Sequence, residues 1–244
     1  MRTQIMEIAF DNVTIAEAVE TAMGYLARGE RCRVVTPNAE IAYECKKNIA
    51  LREIVNYSQL VLPDGIGVVY AANIRKKPLK GRVPGVDFAS ALLDALQNTG
   101  KSVFLFGAKP GVADKAAENL KKKYPGLCIA GTHNGYYTDD ASVVRHINEA
   151  KPDVLFVCLG SPKQEEFMAK RGNALCASVM MGLGGSLDIF AGVVERAPEF
   201  YQKHGLEWLH RLLKQPKRFF RMLRLPAYLL SAVFYREPSK KEEA

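Results

Sequence analysis

The strongest constraint on this chain is an alternation. Short, continuous apolar runs recur along its length, and each is followed by a longer stretch with helical hydrophobic periodicity. The apolar runs read as strands at Ile5–Phe10, Cys32–Thr36, Leu60–Leu62, Ser102–Phe106, Leu127–Gly131, Val154–Leu159 and Ser178–Met181. Between them, amphipathic patterns cover Ile15–Ala27, Val86–Gln97, Val112–Lys123 and Ala141–Ala150, and Ile66–Ile74 reads as a further helical segment. Strands that are apolar on both faces belong inside a mostly parallel sheet with helices on either side. The expected fold class is therefore α/β, a Rossmann-like sheet flanked by helices, with an amphipathic helical appendage at the C-terminus. At 244 residues, with 48% hydrophobic and 25% charged, the chain suits one domain or at most two, and it carries no internal repeat.

Sheets of this kind bind ligands at the carboxyl ends of their strands. That is where the polar residues gather. One strand ends in Thr36-Pro37-Asn38-Ala39-Glu40 and the next in Pro63-Asp64-Gly65-Ile66-Gly67. Others end in Gly107-Ala108-Lys109-Pro110-Gly111, Gly131-Thr132-His133-Asn134-Gly135-Tyr136-Tyr137, Gly160-Ser161-Pro162-Lys163-Gln164-Glu165 and Gly182-Leu183-Gly184-Gly185-Ser186-Leu187-Asp188. Turns need the glycines, but they do not need the Asn, Asp, Gln and Lys beside them.

Gly107 and Gly111 flank a turn that opens onto a helix, and Gly182–Ser186 offers a second glycine-rich nest. Either one alone is equally a tight strand-to-helix turn. Neither fits the dinucleotide fingerprint or a Walker A loop, and the pair on one sheet edge favours a nucleotide diphosphate. Asp64, set between Pro63 and Gly65, suits a general base for an attacking hydroxyl, or equally the N-cap of the segment Ile66–Ile74. Asp188 can accept hydrogen bonds from a base or ribose, or else cap a helix or pair with Arg196. Lys163, Arg196 and the tail arginines are candidates for compensating a leaving diphosphate.

Metal chemistry has little support: His133, His146, His204 and His210 show no ligand spacing, and there is no Asp-x-Asp pair. The five cysteines, Cys32, Cys45, Cys128, Cys158 and Cys176, include no CxxC pair, which disfavours a disulfide framework and a zinc knuckle. No serine elbow or Cys/His pairing stands out. The N-terminus lacks the pattern of a signal peptide and no apolar run approaches a bilayer span, so a cytoplasmic location is expected.

Charge is concentrated at one end. The net charge is +8, and residues 201–244 hold ten Lys/Arg against four Glu. There Pro216 and Pro226 divide the chain into three short helical pieces. Leu209, Leu212 and Leu213 mark an apolar face, Lys217, Arg218, Arg221 and Arg224 supply charge, and Phe219, Phe220, Tyr228, Phe234 and Tyr235 supply aromatics. Such a segment fits an anionic membrane interface, or a helical cap packed on the body. Nucleic acid is disfavoured, because the basic residues sit among bulky aliphatics and not beside a reading motif. The expected division is an α/β domain over 1–198 and a basic, membrane-associating appendage over 199–244.

Taken together, the strand-end clusters, with Arg82-Val83-Pro84-Gly85-Val86-Asp87, Arg196-Ala197-Pro198 and Leu206-Glu207-Trp208, closely resemble the WecG/TagA/CpsF glycosyltransferase family. The resemblance covers nearly the whole chain in the family's order and is greatest to the TagA branch. It implies an inverting, metal-independent transfer of a sugar from UDP to a polyprenyl-diphosphate-linked saccharide at the inner face of the membrane. In that branch the donor is UDP-N-acetylmannosamine and the acceptor is N-acetylglucosaminyl-diphospho-undecaprenol, for the teichoic acid linkage unit. By the same resemblance, Asp64 is the base, and Thr36, Asn38 and Gln164 line the donor sugar and reaction centre. Tyr136 and Asp188 hold the uridine, and Gly107, Gly184 and Gly185 lie near the diphosphate. Arg211, Arg218, Arg221 and Arg224 are the appendage arginines that meet the acceptor diphosphate and membrane. No cofactor or metal is implied. The donor sugar stays open within the family (a mannosaminuronic acid or a hexose), as does an oligomeric state. Remote alternatives are a nicotinamide-dependent oxidoreductase and a non-catalytic, membrane-bound nucleotide sensor.

Overall fold

The computed structural model describes residues 1–214 and 219–236. The chain begins with β1 (Arg2–Ile5) and β2 (Ile8–Asp11), followed by α1 (Ile15–Arg28), β3 (Cys32–Val35), α2 (Ala39–Cys45), α3 (Ile49–Asn56) and β4 (Leu60–Val61). Next come α4 (Ile66–Ile74), α5 (Gly85–Leu96), β5 (Ser102–Gly107), α6 (Val112–Lys123), β6 (Cys128–His133), α7 (Asp140–Glu149), β7 (Val154–Cys158) and α8 (Lys163–Arg171). It continues through β8 (Val179–Gly182), α9 (Ser186–Phe190), α10 (Glu199–Lys203), α11 (Glu207–Lys214), α12 (Phe219–Met222) and α13 (Arg224–Phe234).

The expected α/β class is what forms. Six strands make one parallel sheet in the order β4-β3-β8-β7-β5-β6. The pleat explains the continuous apolar runs. Val103 and Leu105 of β5 point into one core with α1, α5 and α6, whereas Phe104 and Phe106 point into the other with α2, α4, α7 and α8. With both faces covered, neither set of alternate residues can be polar.

The N-terminus departs from the sequence reading. Residues 5–10 are not one strand: β1 and β2 form an antiparallel hairpin that pairs Ile5 with Ile8 and stays outside the main sheet. The turn lies at Met6, whose φ of 52° is unusual for a residue with a side chain.

The end of the chain is tied to the body. Pro226 does not separate two helices; it sits in the first turn of α13, where a missing N–H costs no helical hydrogen bond. Tyr228 and Ala232 of α13 are buried in the same core as α2 and α4, while Leu230, Val233 and Phe234 are exposed. Leu225 packs so tightly on Gly67 of α4 that any Cβ there would collide with it. Among the described residues, no helix is long and apolar enough to cross a membrane. Pro216, Lys217 and Arg218 lie outside the described residues.

Candidate active site

Strand order decides which loops meet. Because β4, β3, β8 and β7 are neighbours, the residues after them open into one cavity of about 1210 Å³. The residues after β7, β5 and β6 line a second cavity of about 770 Å³. Cys158, Leu159 and Asp188 belong to both, so the two spaces adjoin at the end of β7.

The larger cavity gathers Thr36, Asn38, Asp64, Gln164, Gly184, Gly185, Asp188 and Arg224, which sequence reasoning drew from five separate segments. Thr36, just past β3, is buried and its Oγ1 donates to the Gly182 carbonyl (3.3 Å). Asn38 caps α2: its Oδ1 accepts from the N–H groups of Glu40 and Ile41, both at 3.0 Å. That leaves the Nδ2 amide to face a ligand. Asp64 does not occupy the N-cap position of α4. The N-cap is Gly65, with a φ of 86° and no side-chain cap bond, and it lies directly against Asn38.

Gln164 and Glu165, in the first turn of α8, are both buried. Gln164 Oε1 accepts from the Gly184 N–H (2.8 Å), and its Nε2 donates to Glu165 Oε1 (2.9 Å). Burial pushes the Glu165 carboxyl above the usual carboxylate range. Gly184 adopts a left-handed φ of 53°, which this loop requires. Asp188, in the first turn of α9, accepts the N–H groups of Val193 and Val194 on its backbone carbonyl at 2.9 and 3.0 Å. Its suggested partner Arg196 is engaged elsewhere, in a two-pronged pair with Asp87 at 2.5 and 2.7 Å.

Tyr136 lines the smaller cavity, 68% exposed, with Lys109, Lys163 and Tyr137. The Tyr137 ring packs on Phe106 and Phe167, whereas no ring contact holds Tyr136 among the described residues, so its face is open to stacking. Gly107 lines neither cavity. At its φ of 131° a Cβ would sit 2.8 Å from Cys158 Cα and closer still to the Cys158 carbonyl. The close approach that demands glycine here is made by strand β7, not by a ligand.

The appendage supplies a wall. Glu207, Trp208, His210, Lys214, Met222, Arg224 and Leu225 all line the larger cavity. Arg224 also pairs with Glu44 of α2 at 3.1 Å. Arg211 falls within α11 and Arg221 within α12, and Arg218 lies outside the described residues. Sequence reasoning missed the roles of Arg82, Glu207 and Glu165. All three stand in clusters seen in the sequence (Arg82–Asp87, Leu206–Trp208 and Gly160–Glu165), and in the fold the Val83 N–H donates to the Pro63 carbonyl (2.8 Å), which sets Arg82 beside the loop after β4. Among the described residues, no three His, Cys, Asp or Glu side chains group as a metal ligand set.

The arrangement offers a carboxylate beside amide and hydroxyl groups in one space, and an aromatic face with cations in the adjoining one. Comparison with known proteins agrees in kind. The model of the "Glycosyl transferase WecG/TagA/CpsF family" matches residues 3–242. An N-acetylglucosaminyldiphosphoundecaprenol N-acetyl-beta-D-mannosaminyltransferase of Bacillus spizizenii is 39% identical over 217 residues, 89% of this chain and 84% of the relative. Its namesake from Staphylococcus aureus strain MW2 is 34% identical over 242 residues, 98% of this chain and 95% of the relative.

Proposed function

The chain belongs to the WecG/TagA/CpsF glycosyltransferase family, and from that premise we propose that it moves N-acetylmannosamine from UDP to N-acetylglucosaminyl-diphospho-undecaprenol. The enzyme class follows from the family, and the acceptor and transferred sugar are those in the relatives' names. The product is the disaccharide of a teichoic acid linkage unit.

One observation carries the reading on the structural side: Asp64, Thr36, Asn38 and Gln164 share a cavity that adjoins the one holding Tyr136, at Asp188. In this reading the uracil stacks on Tyr136 and Asp188 accepts from the nucleoside. The diphosphate lies between Lys163 and the Gly184–Gly185 loop. Asp64 takes the proton of the acceptor hydroxyl as that oxygen bonds to the anomeric carbon. The anomeric carbon–oxygen bond to UDP breaks on the opposite side, and UDP leaves with the electron pair. A single displacement inverts the configuration and needs one base but no nucleophilic side chain. Fixed cations in the cleft offset the charge of the leaving UDP, so no metal ion is required.

A lipid-linked acceptor needs the cleft close to a membrane. The exposed Leu230, Val233 and Phe234 of α13, with Arg236 beside them, support peripheral attachment to an anionic cytoplasmic surface.

The test is UDP release and product mass from a panel of UDP-sugars with a synthetic N-acetylglucosaminyl-diphospho-lipid, with and without EDTA. The expected outcome is release that requires both substrates, prefers UDP-N-acetylmannosamine and ignores EDTA. Preference for a uronic acid or hexose donor overturns the donor assignment, and loss of activity in EDTA overturns the metal-free mechanism.

A further inference from the structure

Glu165 is placed where folding alone gives no reason for a carboxyl group. It is 1% exposed, and among the described residues its Oε2 has no hydrogen-bond partner. A buried carboxyl with an unsatisfied oxygen costs stability in either protonation state. An apolar side chain facing the buried Cys45 avoids that cost.

What the carboxyl does is hold an amide. Gln164 is 3% exposed, and its amide lies against Gly182, where a Cβ would come within 2.9 Å of Nε2. A backbone N–H only donates, so the Gly184 N–H at 2.8 Å must meet the amide oxygen. The amide NH₂ then requires an acceptor, and Glu165 Oε1 at 2.9 Å is that acceptor. Without it, either orientation of the amide leaves a buried polar group unmatched. From the other side, Thr36 Oγ1 donates to the Gly182 carbonyl. The loop from Gly182 to Gly185 is thus gripped between two side chains of the larger cavity.

We propose that Glu165 is a positioning residue for glycosyl transfer, acting through the Gln164 amide to fix the Gly184 loop at the reaction centre. This rests on the glycosyltransferase reading above. Glu165 does not touch the reacting atoms; its effect is carried by the Gln164 amide, which it holds at 2.9 Å, with the Ser161 hydroxyl as a second neighbour of the carboxyl.

The experiment uses the full chain and measures kcat, both KM values and Tm for wild type, Glu165→Leu, Glu165→Gln, Gln164→Ala and the double variant Gln164→Ala/Glu165→Leu. Misplacing a reacting group by about an ångström costs up to about 100-fold, so Glu165→Leu is expected to lower kcat by about 10- to 100-fold, with a Tm somewhat below wild type because the buried Gln164 amide loses its acceptor. Glu165→Gln keeps an acceptor oxygen and recovers most of the rate. The double variant is no slower than Gln164→Ala, because the effect runs through that one side chain. Wild-type kcat in Glu165→Leu overturns the proposal, and so does a double variant slower by the full product of the single effects. If Glu165→Leu folds poorly, Glu165→Gln decides: a rate as low as that of Gln164→Ala overturns the proposal. A wild-type chain inactive on these substrates overturns the glycosyl-transfer reading itself, whereas an active wild type with an equally active Glu165→Leu overturns only the role of Glu165.

Discussion

Arg82 and Glu207 stand 125 positions apart and meet with Nη1 2.6 Å from Oε1, joining the segment after α4 to the first turn of α11. Arg82 also donates to the Gln202 carbonyl, so one guanidinium fixes two points of the appendage against the wall of the larger cavity. Both side chains are largely shielded from water, and a hydrogen bond between charged groups in such a place contributes about 1.5–3 kcal/mol. Glu207→Ala is therefore expected to lower stability by about 2 kcal/mol. It should raise KM for the lipid acceptor while leaving UDP affinity unchanged. Acceptor kinetics and the fluorescence of Trp208, the chain's one tryptophan and part of this wall, check both halves.

Asp64 is expected to carry the proton transfer. Asp64→Asn keeps the size and polarity of the side chain but cannot take a proton at neutral pH. General-base catalysis typically contributes about 10²–10⁴-fold, and kcat should fall by that range with donor KM little changed. Rates of UDP release at saturating donor measure it. Full activity in a folded Asp64→Asn chain removes this residue as the base.

How much of this was legible in the sequence differs between fold and site. Strands covered on both faces announce themselves, so the residues just past them (Thr36, Asp64, Gln164, Gly184) can be picked out before any geometry is known. The N-terminal hairpin was hidden because its turn uses Met6 at positive φ, with no glycine, proline or asparagine to mark it. The walls of the site were hidden for another reason. Arg82, Glu207 and Glu44 owe their place to contacts between segments remote in sequence, which no local period records. Gly107 shows the converse error: a glycine after a strand suggests a ligand, yet here it makes room for the neighbouring strand.

Gly107→Ala tests that reassignment. A methyl group at this position meets the Cys158 carbonyl and forces a φ of 131° on a residue with a side chain. Overpacking and backbone strain each cost about 1–3 kcal/mol, so the variant should lose roughly 3 kcal/mol or more. Urea unfolding reads this directly. A variant as stable as wild type returns Gly107 to the ligand side of the argument.

Thiol chemistry gives a check on the core. Burial pushes the Cys32 and Cys45 thiols up to about 12 and the Cys158 thiol higher still, because a thiolate loses its hydration there. Only the thiolate reacts quickly with maleimide. At pH 8 the exposed Cys128 is expected to label in minutes, while Cys32, Cys45 and Cys158 label only as the chain unfolds. Peptide mass mapping of a time course separates the sites. Fast labelling of Cys45 in folded protein contradicts the packing of α2 beneath α13.

The last helix carries the sharpest stability prediction. Tyr228 is buried between α2 and α4, yet among the described residues its hydroxyl has no hydrogen-bond partner, and burial raises its pKa beyond the ordinary phenol range. The ring contributes apolar burial; the hydroxyl contributes only the cost of leaving water. Tyr228→Phe keeps the first and removes the second, so it should stabilise the protein by about 1 kcal/mol. For a chain of this length, that is a rise in Tm of about 2–4 °C. Tyr228→Ala removes the ring as well and should cost about 3–5 kcal/mol through the cavity it leaves. Opposite signs at one position separate packing from polarity. A destabilised Tyr228→Phe shows instead that the hydroxyl is bonded in solution and that α13 is held partly by that bond.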